Sequence, residues 1–162
     1  MRPIQLFLVV VPLLACRSPA PEGGTPLLSS EDVRAIRALE SAYVDAWIRD
    51  DTTEVLATLD SVPVLMPAGQ RPVVGLEAVR RFWWPGDGSE TRILSYETTV
   101  DEIGGGGSWA FSRGTGAMTF TWRLEGPPQT ISSRSMSLTV YRRNAVGDWR
   151  IARRMWGPIG GQ

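Results

Sequence analysis

The chain has 162 residues, in which 17 basic side chains balance 17 acidic ones, with one cysteine and no histidine. Every basic residue is arginine, so Ser-His-Asp and Cys-His nucleophilic catalysis, Schiff-base chemistry, a Walker lysine and histidine-ligated zinc are all excluded. The balanced charge recruits neither nucleic acid nor an anionic surface, and proton transfer is left to Asp, Glu and Tyr.

In chain order, Arg2 precedes an apolar run over 4–11 and then Leu13-Leu14-Ala15-Cys16. The run is too short for a permanent bilayer span, and Ala15 is the small residue that a signal peptidase needs before its cut. These features resemble the lipobox of bacterial lipoproteins. The resemblance implies a signal peptide over 1–15, lipidation of Cys16 and membrane attachment through that lipid. A lipidated lone cysteine leaves no intramolecular disulfide, so the fold must rest on its core. Arg17 stands where an aspartate would argue for retention at the cytoplasmic membrane, so by analogy the outer membrane is favoured. Residues 16–28, rich in Pro and Gly, read as a tether. About 130 residues remain, enough for one domain over 29–157 with a short tail over 158–162.

At Ser29 or Ser30 a hydroxyl is followed by Glu31 and Asp32, the signature of a helix start. Val33, Ile36, Leu39, Tyr43, Ala46 and Trp47 recur at helical spacing as far as residue 50 and give the helix one face to be covered. Thr52-Thr53-Glu54 caps a shorter helix carrying Val55, Leu56 and Leu59. Short strands are expected at 62–66 and 72–75, then a helix over 76–84 with Val79, Phe82 and Trp83 on one side.

Four longer strands follow at 92–103, 108–123, 130–143 and 149–157, separated by Gly, Pro or Asn turns, as in an antiparallel meander. Alternation at Leu94, Tyr96, Thr98 and Val100, and at Met136, Leu138 and Val140, assigns these residues to the face that meets the helices. Helices first and a curved sheet after define an α+β class. The glycines at 104–107 form a hairpin loop, because no Lys-Ser or Lys-Thr follows them and the next element is a strand. Neighbouring carboxylates at Asp50-Asp51 and Asp101-Glu102 diverge from each other, so no metal site is expected. No cofactor is implied.

Several pieces in this order resemble a SnoaL-like domain of the nuclear transport factor 2-like superfamily. They are Ala42-Tyr43-Val44-Asp45-Ala46-Trp47 before an acidic turn, Met66-Pro67, Val74-Gly75-Leu76-Glu77-Ala78-Val79, Trp109-Ala110-Phe111-Ser112-Arg113-Gly114, and 148–156 ending in Arg153-Arg154-Met155-Trp156. The resemblance implies a cone, with the sheet curved around the long helix and a pocket between them. Tyr43, Trp47, Met66, Phe82, Trp83, Trp122 and Trp156 are its expected lining. Compared with ketosteroid isomerase of the same superfamily, the helix tyrosine falls on Tyr43, but the base falls on Met66 and the late acid near Ser137 or Thr139. A thioether accepts no proton, so that mechanism is not supported. Many relatives also carry an acid or histidine where this chain has Arg154.

Three readings follow. The first is an apolar, aromatic pocket that binds a small hydrophobic or amphipathic molecule, with Tyr43 donating a hydrogen bond. The second is an isomerase, cyclase or dehydratase in which Asp45, Glu97 or Asp101 acts beside Tyr43 and Arg113 or Arg154 stabilises negative charge. The third is a homodimer formed through the convex face of the sheet, using Trp109, Phe111 and Trp149.

Overall fold

The computed structural model describes residues 27–160; the signal segment, Cys16 and most of the tether lie outside them. The helices are α1 (Ser30–Ile48), α2 (Thr52–Ala57) and α3 (Leu76–Trp83), of which α3 follows the first two strands. Six strands, β1 (Leu59–Pro67), β2 (Val73–Val74), β3 (Glu90–Gly106), β4 (Trp109–Arg123), β5 (Gln129–Arg143) and β6 (Trp149–Pro158), form one curved sheet in the order β2-β1-β6-β5-β4-β3. The expected meander is present from β3 to β6. The sheet then continues through β1, which runs parallel to β6.

Local chemistry accounts for the boundaries. Ser29 caps α1 in a reciprocal box, its side chain accepting from the Asp32 N–H while the Asp32 carboxylate accepts from the Ser29 N–H. Asp50 ends α1 by adopting a left-handed φ of 55°. Asp51, rather than the threonines after it, caps α2 by accepting from the Glu54 N–H at 3.0 Å. No helix of the described residues is long and apolar enough to cross a membrane.

The core joins Ile36, Tyr43, Val44 and Ala46 of α1 to Val55 and Leu56 of α2, Leu65 of β1, Val79 of α3, and Tyr141 and Ile151 of the late strands. Their burial is the main stabilising contribution.

Two strand-face expectations are corrected. Along β3, Tyr96, Thr98 and Val100 do face the interior, but Leu94 is exposed, because an irregularity between Ile93 and Ser95 switches the alternation. Along β5 the faces are the reverse of the expectation. Met136 and Leu138 are exposed, whereas Ser135, Ser137 and Thr139 turn inward. A one-residue difference in parity moves every side chain of a strand to the other face.

Candidate functional site

Between the inner face of the sheet and the helices lies a cavity of about 530 Å³. Its walls follow the register. Gly114 of β4 opposes Ser137 of β5, which opposes Trp156 of β6; one step outward Gly116 opposes Ser135; beyond that Met118 opposes Ser133. The small side chains among these, at Gly114, Gly116, Ser133, Ser135 and Ser137, leave the space open. Gly114 is required for a second reason: a Cβ there would sit 2.1 Å from the Thr99 carbonyl oxygen, where the neighbouring strand bulges.

The helix side of the cavity is aromatic. Trp47 meets Trp83 edge-on at 5.0 Å and stacks on Trp84 at 5.1 Å, and Tyr43 packs against Trp83 and Tyr96, each at 6.4 Å. Such contacts fix the rings and define the shape of that side.

The closed end is polar and charged. Glu40 of α1 and Arg154 of β6 form a buried ion pair, Arg154 Nη2 donating to Glu40 Oε1. The same carboxylate oxygen accepts from the Tyr141 hydroxyl at 2.7 Å. Because that spends the one phenolic proton, Ser112, 2.6 Å away, donates to the Tyr141 oxygen. Arg154 Nε donates to Thr139 Oγ1 at 3.0 Å, and its guanidinium lies 4.4 Å over the ring of Tyr43.

Burial pushes the Tyr43 phenol above its ordinary value, with Arg154 opposing, and the same desolvation raises Tyr96 and Tyr141. All three are neutral donors at physiological pH. For Arg154, burial works against the charge but the adjacent Glu40 carboxylate outweighs it, so the guanidinium stays protonated.

The structure thus brings Tyr43, Trp47, Phe82, Trp83 and Trp156 together on the cavity wall. Met66 is not part of that wall; its neighbours Leu65 and Pro67 are buried on the inner side and Met66 takes the alternate face. Trp122 lies past the end of the cavity and is 38% exposed.

The carboxylates of the catalytic alternative also point elsewhere. Asp45 and Glu97 are exposed, and Asp101 binds Arg113 in the solvent. Arg113 is therefore outside the site and Arg154 inside it. The expectation of an apolar, aromatic pocket is corrected by Glu40, which the sequence reading missed. One signal could have found it: Glu40 falls four residues after Ile36 and three before Tyr43, on the apolar stripe of α1, where a carboxylate needs a buried partner. Among the described residues no group of three or more His, Cys, Asp or Glu side chains converges as a metal site.

No protein-family model and no curated protein matches this sequence, whereas solved structures do. A ketosteroid isomerase-like protein from Erwinia carotovora atroseptica SCRI1043 superposes with a TM-score of 0.69 at 24% identity, covering 82% of this chain and 100% of that one. A nuclear transport factor 2-like protein with a cystatin-like fold from Novosphingobium aromaticivorans gives 0.54 at 19%, covering 82% and 84%. A protein from Catenulispora acidiphila in complex with S-DNPA gives 0.60 at 18%, covering 80% and 95%. At these identities the likeness is one of fold, and the fold is the nuclear transport factor 2-like cone. Function must come from the site.

Proposed function

We propose that this chain is a SnoaL-like lipoprotein of the cell envelope that binds a small amphipathic molecule in its cone. The observation that carries this reading is the 530 Å³ cavity, aromatic on its helix side and hydrogen-bonding at its floor. Its size and mixed lining are those of small-molecule sites. A neighbour of the same fold holding a small ligand is consistent with this use.

The anchor is the acylated Cys16, with the signal over 1–15 removed, the tether over 16–28 and the outer membrane as destination. Native mass spectrometry of the purified protein tests the binding, because a co-purifying small molecule, absent from a cavity-filling Ser135→Phe variant, is the expected result. Detergent-phase partitioning that is lost in Cys16→Ser tests the anchor.

The catalytic reading loses its acids to the solvent. Among the described residues only Glu40 brings a carboxylate to the wall, and Arg154 and Tyr141 already engage it.

A second reading, self-association through the convex face, is favoured by a specific observation. Met155 of β6 lies directly opposite Leu138 of β5, with Met136 beside them, and all three are exposed at 44–57%. Trp149 takes no part, being buried beneath the sheet with its ring N–H on Asp32. An apolar cluster of this kind suits a second copy of the chain.

A further inference from the structure

The floor of the cavity specifies which head group it accepts, an inference that rests on the small-molecule reading above. Glu40 uses one carboxylate oxygen for both of its hydrogen bonds, to Tyr141 and Arg154, and Oε2 has no partner among the described residues. Arg154 uses Nε for Thr139 and Nη2 for Glu40 and also lies close enough to the Tyr43 hydroxyl to lower that phenol's pKa, while Nη1 makes no hydrogen bond of normal geometry among the described residues. Neither atom is a sealed-in orphan, since no buried side-chain nitrogen or oxygen of the described residues lacks a partner. Both residues line the cavity. Oε2 and Nη1 are therefore open to it and offer one strong acceptor and one strong donor from a pair whose charges already cancel.

We infer that the closed end selects a neutral head group that both donates and accepts hydrogen bonds, a primary carboxamide being the simplest, and discriminates against a carboxylate. A carboxamide can give an N–H to Oε2 and take one from Nη1 without disturbing the ion pair. A carboxylate can use only Nη1 and brings a second negative charge beside Glu40 in a desolvated site; the other arginine of the lining, Arg134, is exposed, whereas Glu40 and Arg154 are buried. An ammonium has the mirror problem with Arg154, whose guanidinium also covers the Tyr43 ring face. Specificity here comes from repulsion as much as attraction. The rest of the ligand runs along the sheet, away from the charged floor, past Gly116 and Ser135 to Met118, Phe120 and Ile93, which offer it apolar contacts.

Octanamide, octanoate and octylamine share one chain length and differ in the head alone. Titrated into the full-length protein, their binding is read from the fluorescence of Trp47, Trp83 and Trp156 in the cavity wall. Octanamide is expected to bind about tenfold or more tighter than octanoate, as for a site with dedicated buried polar partners. Glu40→Gln keeps the shape and frees the arginine charge, so the order is expected to reverse in favour of octanoate. Equal or tighter octanoate binding by the unaltered protein overturns the inference while leaving small-molecule binding intact. So does an unchanged order in a folded Glu40→Gln variant, and if that variant does not fold, the order in the unaltered protein decides alone. Binding of none of the three overturns the small-molecule reading itself.

Discussion

Helix α1 carries two carboxylates eight positions apart, and each meets an arginine of the late strands. Asp32 takes Arg143 at the rim of the fold, where the two side chains are 17% and 34% exposed. Glu40 takes Arg154 beneath the sheet, where both are 7% exposed. Asp32 is also occupied as a helix cap and by the Trp149 ring N–H at 3.2 Å, while Arg143 stacks on that ring at 4.5 Å. The outer pair is a fastener with water as an alternative partner. The inner pair has no such alternative, and it keeps two unused polar atoms on the cavity. The comparison teaches that the same two charge types hold a helix down in one place and define a binding floor in the other, and that burial makes the difference.

The sharpest way to break this contrast is Glu40→Leu, which leaves Arg154 buried and unpaired and is expected to cost about 3–5 kcal/mol in urea unfolding. Glu40→Leu combined with Arg154→Leu is expected to recover most of that loss; a double variant as unstable as the single one would place the cost in lost hydrogen bonds instead. Tyr141→Phe removes the bond to Glu40 and strands the Ser112 hydroxyl, at an expected cost of about 1–3 kcal/mol by the same measurement.

At the outer pair, Asp32→Asn is expected to cost about 1–2 kcal/mol. The Ser29 hydroxyl and N–H, with Arg143 and Trp149 behind them, hold the Asp32 carboxyl far below the ordinary carboxylate range. Its contribution is thus complete above the unfolded value of about 4 and drains away as the pH falls below that toward the folded value. The stability gap between the native chain and Asp32→Asn should narrow on acidification below that point, and a pH-independent gap would remove the charge from the explanation.

The smallest effect on stability is expected on the convex face, where Leu138→Glu should change unfolding by only about 0.5 kcal/mol or less. Its consequence should appear in sedimentation, where the self-association proposed for this face is expected to be lost.

Much of this was legible in the residues. The three helices and six strands fall within a few positions of where caps, periodicity and turn residues put them, because those signals are local. Five of the seven expected lining residues reach the cavity, chiefly those on α1 and α3, where the hydrophobic stripe names the covered side. Strands were less transparent. Met136 and Leu138 read as inward because apolar residues usually are, yet Ser135 and Ser137, which alternate with them, line the cavity, which needs room and hydrogen bonds more than it needs grease.

The chain by itself determined the order of elements, their ends, the exclusion of histidine and lysine chemistry, and the apolar face of the long helix. Only the tertiary structure decided which side of β5 and of the irregular β3 looks inward, and that Glu40 meets Arg154 across 114 residues of sequence. The physical reason is range. Caps and periodicities act over a few residues, whereas strand parity after a bulge and the pairing of two distant charges depend on how the whole sheet curves over the helix.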